Sequence, residues 1–219
     1  MPQRWLPLTT ITLPACLAVA ANETGYLPFK LGVPLACALL LLFHFRGKLR
    51  QRSDVWFVVG AFVFSAIGDY FLSTRRGHES HFVLGIAAFF VAHLGYLGFS
   101  LWHGRLHCVA LVVLLAGYLP YFVFALRPAI DDPILFAAVL LYLLVSCVGL
   151  AAAAGLRLRP MGKWLYVFGI LMIVLSDTII SFSEFLKYRG LNDWILPTYY
   201  LAHLTVTASV LTTREDRWA

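Results

Sequence analysis

The sequence predicts an all-α integral membrane protein: one domain over residues 1–219, with eight transmembrane helices arranged as a pseudo-twofold parallel repeat of two four-helix halves. Three observations predict it. Of the 219 residues 61% are hydrophobic and 13% charged, and the mean hydropathy is +0.81. A soluble domain is about 45–50% apolar and about 25% charged, so this chain carries too much apolar surface for a single water-facing core. Eight apolar blocks are long enough to be read as spans, and a motif in the third and fourth blocks returns in the seventh and eighth.

The blocks run from Trp5 to Ala21, Leu27 to Phe45, Val55 to Leu72, Phe82 to Trp102, Val109 to Leu126, Ile134 to Gly155, Trp164 to Leu186 and Trp194 to Thr213. A helical span needs roughly 20 apolar residues. The blocks are apolar all round, whereas barrel strands alternate apolar and polar over about ten residues, so a helical bundle is expected. The first block has the look of a signal peptide, with Arg4 ahead of it and Ala18-Val19-Ala20 near its end. Pro7 and Pro14 weaken it as a helix, yet removing it would leave an odd bundle, and it is taken as a span. What remains between the blocks is too short to hold a soluble domain.

Orientation follows from the basic residues. With eight spans, Arg4, Arg46, Lys48, Arg50, Arg52, Arg105, Arg157, Arg159, Lys163, Arg214 and Arg217 fall on one side, and Lys30, Arg75, Arg76, Arg127, Lys187 and Arg189 on the other. Both termini are therefore expected in the cytoplasm, in the inner membrane of a bacterium or the endoplasmic reticulum of a eukaryote. This asymmetry accounts for the net charge of +6 without a nucleic-acid partner. Arg46 to Arg52 reads as a topology signal alone, and Arg214 to Arg217 as a solvated tail. Cys16, Cys37, Cys108 and Cys147 stand singly, with no histidine at ligand spacing, so they read as core residues and neither a metal nor another cofactor is expected.

Asp69 is followed by Ser73 and then, 24 residues after the aspartate, by His93 within Phe89-Phe90-Val91-Ala92-His93-Leu94. Asp177 is followed by Ser181 and, 26 residues on, by His203 within Tyr199-Tyr200-Leu201-Ala202-His203-Leu204. The aspartates are 108 residues apart and the histidines 110, which spans four blocks and restores the chain direction. That is the spacing of a parallel repeat.

Carboxylates within a bilayer are costly and face protein, a cavity or each other. Counted from the start of their blocks, Asp69 and Asp177 both lie roughly 20 Å deep, and His93 and His203 come out near the midplane. Four-residue spacing puts Ser65, Asp69 and Ser73 on one helical face, and Asp177, Ser181 and Glu184 on another. Two aspartates at matched depth favour a site. The bland alternative is packing glue, each Asp paired with the His of its own hairpin. Lys30 either snorkels to the surface or binds an anion.

The strings Phe64-Ser65-Ala66-Ile67-Gly68-Asp69, then Phe82, Gly85, Phe89, Ala92, His93 and Tyr96, then Leu175-Ser176-Asp177 with Phe185, then Thr198-Tyr199-Tyr200 with Ala202, resemble the YhhN-like lysoplasmalogenase family from about Lys30 to Leu211. The resemblance implies an eight-span enzyme that hydrolyses the vinyl ether bond of a lysophospholipid, the lysoplasmalogen, to a fatty aldehyde and a glycerophospho-alcohol. It implies Asp69 and Asp177 as the catalytic pair, with Lys30, His93, Tyr96, Tyr199 and Tyr200 at the substrate. His203 also falls in the candidate binding set, and it stands where the family is expected to carry Gln.

Such chemistry suits two buried carboxyl groups. One, kept protonated in a dry site, delivers a proton to the alkene; the other, ionised, stabilises the resulting oxocarbenium ion and activates water. A cavity lined by Phe89, Phe90, Tyr199 and Tyr200 would take the alkenyl chain, and Lys30 the phosphate. Neither a serine-nucleophile motif nor a phosphate-binding glycine loop supports acyl-ester hydrolysis or nucleotide use. A proton-coupled transporter of a small lipid or metabolite is the alternative, because repeats and midplane Asp and His residues suit it as well.

Overall fold

The computed structural model describes residues 10–213. Arg4, Trp5 and the tail from Arg214 to Arg217 lie outside the described residues. Within them the regular structure is eight α-helices with no sheet: α1 (Thr12–Thr24), α2 (Leu27–Phe45), α3 (Val55–Thr74), α4 (Glu79–His103), α5 (Cys108–Tyr121), α6 (Pro133–Ala154), α7 (Pro160–Glu184) and α8 (Ile195–Thr212). A π-helical turn at Phe122–Leu126 and a 3-10 turn at Arg127–Ala129 extend α5. Local chemistry sets the ends. Gly25, at φ +63°, stops α1 and returns its N–H to the Ala21 carbonyl. Proline occupies the first turns of α2, α6 and α7, where its missing N–H costs nothing. Asp132 accepts from the Leu135 N–H at 2.8 Å and caps α6.

Six helices are long and apolar enough to cross a bilayer: Leu27–Phe45, Val55–Thr74, Ser80–His103, Cys108–Ala129, Pro133–Ala154 and Pro160–Glu184. The protein is a multi-pass membrane protein. The expected eight spans are not all matched, and the two exceptions have different causes. With 13 residues α1 is about 20 Å long, short of the roughly 30 Å hydrocarbon layer. α8 has 18 residues but carries Thr198, Tyr199, Tyr200, His203, Thr207 and Ser209, all buried. A helix enclosed by its neighbours needs no lipid-compatible surface, so hydropathy understates its place in the bundle.

Six helices close a ring in which α2 packs on α3, α3 on α4, α4 on α6, α6 on α7, α7 on α8, and α8 back on α2. α1 lies against α2 and α8, and α5 against α6. The α3–α4 and α7–α8 hairpins are the most extensively packed. Small residues permit this approach: a Cβ at Gly95 of α4 would lie 2.5 Å from the Phe57 carbonyl oxygen of α3, and one at Gly169 of α7 would lie 2.6 Å from Val206 of α8. The main core, which includes Leu41, Val58, Phe62, Phe99, Tyr166, Ile170 and Val206, fills one end of the ring.

That end is tied by a buried charge cluster. The Arg52 guanidinium donates to both Asp54 oxygens at 2.9 Å and to the Thr213 carbonyl at 3.2 Å, while His103 Nε2 lies 2.8 Å from Asp54 Oδ2. The α2–α3 loop is thereby joined to the ends of α4 and α8, so Arg52 is a structural residue and not merely part of a topology signal. Burial pushes the Asp54 carboxyl up, but the hydrogen bonds and charges of His103 and Arg52 outweigh it and hold the group at about 2, against an ordinary value of 3.8. A depressed folded-state value means that the cluster stabilises fully above pH 3.8 and loses its contribution as pH falls toward about 2. Asp54→Asn leaves Arg52 buried without its countercharge and is expected to cost about 3 kcal/mol or more. Thermal unfolding of the purified protein in detergent measures this; an unchanged midpoint would contradict the assigned role.

Candidate active site

Asp69 and Asp177 project from α3 and α7, which face each other across the ring, into one cavity of about 270 Å³. Lys30 from α2, Phe89 from α4 and Tyr199 from α8 line it as well, with Arg75, Glu184 and Asn192 at the end where α3 and α7 finish. The aspartates are held by residues from other helices, not by the histidines of their own hairpins. Tyr199 donates its hydroxyl to Asp69 Oδ2 at 3.0 Å. Tyr142 of α6 donates to Asp177 Oδ2 at 2.8 Å, and His93 Nε2 of α4 lies 3.4 Å from the same oxygen. The expectation that packing glue would pair each Asp with its own hairpin's His is therefore not met. The ring geometry explains why, since α4 reaches α7, and α8 reaches α3, across the central space.

Hydrogen bonding determines the His93 tautomer. Its Nδ1 is 3.0 Å from the Phe89 carbonyl oxygen, which can only accept, so Nδ1 carries a proton. On a neutral ring Nε2 is then bare and faces a carboxyl oxygen. Nε2 is buried, and no hydrogen bond joins it to that oxygen at 3.4 Å. Asp69 has different neighbours. Lys30, which makes no salt bridge among the described residues, lines the same cavity.

Four of the expected site residues, Lys30, Asp69, Asp177 and Tyr199, line the cavity, and His93 stands behind Asp177. Tyr96 and His203 lie deeper. Tyr96 is 3% exposed beside Phe62 and His93; His203 is fully buried between Phe62 and Tyr199 and bonds the Tyr199 carbonyl through Nδ1 at 2.8 Å. Tyr200 does not line the cavity; it packs in a cluster with Ala18, Ala21, Val33 and the cavity-lining Tyr199. Of the aromatic pairs expected to line the cavity, Phe89 and Tyr199 do so, and Phe90 and Tyr200 do not. Two smaller apolar cavities, of about 60 and 80 Å³, also reach Asp177 and Tyr142. The larger of these is walled by Leu72, Phe82, Ile86, Phe89, Val139, Ile180 and Phe185. Sequence reasoning missed Tyr142, although a lone phenol within the otherwise apolar stretch from Pro133 to Val145 was a readable signal.

A family model described as the YhhN family matches residues 29–210, a span that holds His93, His203 and every residue of the cavity wall, both aspartates included. The chain belongs to the YhhN family. Its similar proteins include the human protein named lysoplasmalogenase TMEM86A, 30% identical over 192 residues, which cover 84% of this chain and 77% of that protein. The Bos taurus protein of the same name is 29% identical over the same shares. No solved structure matches. The YhhN match begins within α2 and leaves α1 outside, in keeping with a site whose polar groups come from α2, α3, α4, α6, α7 and α8.

Proposed function

We propose that this YhhN protein is a lysoplasmalogenase, hydrolysing the vinyl ether of a 1-alkenyl lysophospholipid to a fatty aldehyde and a glycerophospho-alcohol. The observation that carries the reading is the meeting of two carboxyl groups, one from each half of the chain, on a polar cavity that adjoins small apolar ones. The names of the mammalian relatives agree with it. The packing order also suits a repeat of two four-helix halves: α1 to α2, α2 to α3 and α3 to α4 correspond to α5 to α6, α6 to α7 and α7 to α8, and the cross-contacts α4 to α6 and α8 to α2 correspond in turn. In this reading all eight helices belong to the membrane domain, with both termini cytoplasmic.

The surroundings of the two carboxyl groups support different roles. Asp177 lies where the polar cavity meets the two smaller apolar ones, beside the place for the alkene of a hydrocarbon chain, and in this reading it is the acid. Asp69, which accepts from the Tyr199 hydroxyl and shares the polar cavity with Lys30, is in this reading the carboxylate. Asp177 gives its proton to the β-carbon of the alkene, and the π electrons leave an oxocarbenium ion on the carbon next to oxygen. Asp69 stabilises that cation and takes a proton from the water that adds to it. The hemiacetal then collapses: Asp69 returns its proton to the departing ether oxygen, and Asp177 takes the hemiacetal hydroxyl proton and is restored. No external acid or base is consumed over the cycle.

The apolar cavity walled by Phe82, Ile86 and Phe185 takes the start of the alkenyl chain, and the polar cavity takes the glycerol. Purified protein in detergent micelles, given 1-alkenyl lysophospholipid, is expected to release free aldehyde without any ion gradient. No aldehyde in micelles, together with proton-driven uptake in sealed vesicles, would replace this reading with the transporter.

A further inference from the structure

We propose that Arg75, with Lys30, forms the receptor for the phosphate of the lysophospholipid, a role that rests on the substrate class proposed above. Arg75 follows the last residue of α3 and lines the same cavity as the two aspartates. Its guanidinium is already oriented. Nη1 donates to Glu184 Oε2 at 2.9 Å, Nη2 donates to Oε1 at 3.0 Å, and Cζ lies 5.3 Å from the centre of the Phe82 ring. This end-on pairing uses one N–H from each terminal nitrogen. A guanidinium has five N–H groups, so the edge formed by Nε–H and the neighbouring Nη–H stays open. Such an edge matches two oxygens of a phosphate, and the side chain is 36% exposed, so the edge is reachable from the mouth.

Distance and charge both fit. Arg75 is six residues beyond Asp69, about 9 Å along the helix axis. In the lipid, the vinyl ether oxygen and the phosphorus are five bonds apart, about 6 Å when extended. A charge-assisted hydrogen bond of about 3 Å makes up the rest. A vinyl ether held at the aspartates therefore puts its phosphate beside Arg75. Glu184 balances the charge of Arg75, and Lys30 then supplies the positive charge that a phosphate needs at this mouth. The Oδ1 atom of Asn192, on the same wall, is buried without a hydrogen-bond partner among the described residues and marks a further polar contact for the headgroup end.

The test measures binding, so that it does not depend on turnover. The full chain in detergent is titrated with a 1-O-alkyl lysophosphatidylcholine, whose saturated ether cannot be hydrolysed by alkene protonation, and with the matching 1-O-alkylglycerol, which lacks the phosphate. Arg75→Gln is expected to weaken the phospholipid by about ten- to hundredfold and to leave the alkylglycerol unchanged. Arg75→Lys, which keeps the charge but loses the open edge, should fall between, and it carries the test if the Gln variant does not fold. Equal weakening of both ligands would mean that Arg75 only holds the mouth together, and no weakening of either would remove it from the site; each result overturns the proposal. Inorganic phosphate alone should compete weakly, and binding as tight as the lysophospholipid's would make this a free-phosphate site. If the lysoplasmalogenase reading is wrong, wild-type protein releases no aldehyde while the binding contrast persists, so the two failures are told apart.

Discussion

Asp69→Asn and Asp177→Asn are each expected to lower lysoplasmalogen turnover by about a thousandfold or more, and the double variant to be scarcely worse than either single one. The size follows from what each change removes. Positioned general acid–base groups contribute about 10² to 10⁴ in rate, and in the proposed cycle each carboxyl group acts twice, once as donor and once as acceptor. Losing either one breaks the proton cycle, so removing the second costs little more, as for groups that act as a unit. Both substitutions keep shape and a hydrogen-bond acceptor: the amide oxygen can still accept from Tyr199 or from Tyr142. Folding should therefore be preserved, and thermal unfolding in detergent checks it. Aldehyde release under single-turnover conditions gives the rates. Losses that multiply across the two sites would show that the carboxyl groups do not share a cycle, and intact activity in either variant would take that residue out of the chemistry.

How much of the fold and the site is legible in the sequence depends on the range of the interaction involved. Asp69, Asp177 and His93 stand out because an ionisable group in an apolar run is conspicuous by itself, and matched spacing adds weight to each. The partners of the aspartates are not legible. Nothing in the spacing says that Tyr199 crosses to α3 or that His93 crosses to α7, because those contacts depend on which helices oppose each other in a closed ring. Hairpin neighbours are the natural guess from sequence, and here they are wrong. Arg75 and Glu184 are 109 residues apart and lie at helix ends that composition marks only as membrane boundaries. Arg52 shows the opposite error, since a basic loop residue reads as a topology signal until its carboxylate partner is seen 2.9 Å away. Hydropathy likewise identifies helices that touch lipid better than α8, whose polar side chains are buried inside the bundle.

Hydrolysis in ¹⁸O-labelled water is expected to yield a glycerophospho-alcohol with no label, because the acid acts at the alkene carbon and not at the ether oxygen. Carbon protonation places the cation on the former vinyl carbon, and water adds there. The ether oxygen then leaves with the glycerol, so the new hydroxyl contains the oxygen that the lipid brought. The aldehyde oxygen decides nothing, since aldehydes exchange with solvent. The alternative is displacement at the glycerol carbon by an activated water, which would put one heavy oxygen into every alcohol formed. The two outcomes differ by a whole oxygen per molecule, and mass spectrometry of the released alcohol separates them at the first turnover. The site geometry favours the first. Asp177 sits where the larger polar cavity and the apolar ones meet, the place for an alkene carbon at the head of a hydrocarbon chain, whereas Asp69 lines the polar cavity with Lys30 and neither apolar one. Label in the alcohol would sink the carbon-protonation mechanism while leaving the choice of substrate standing.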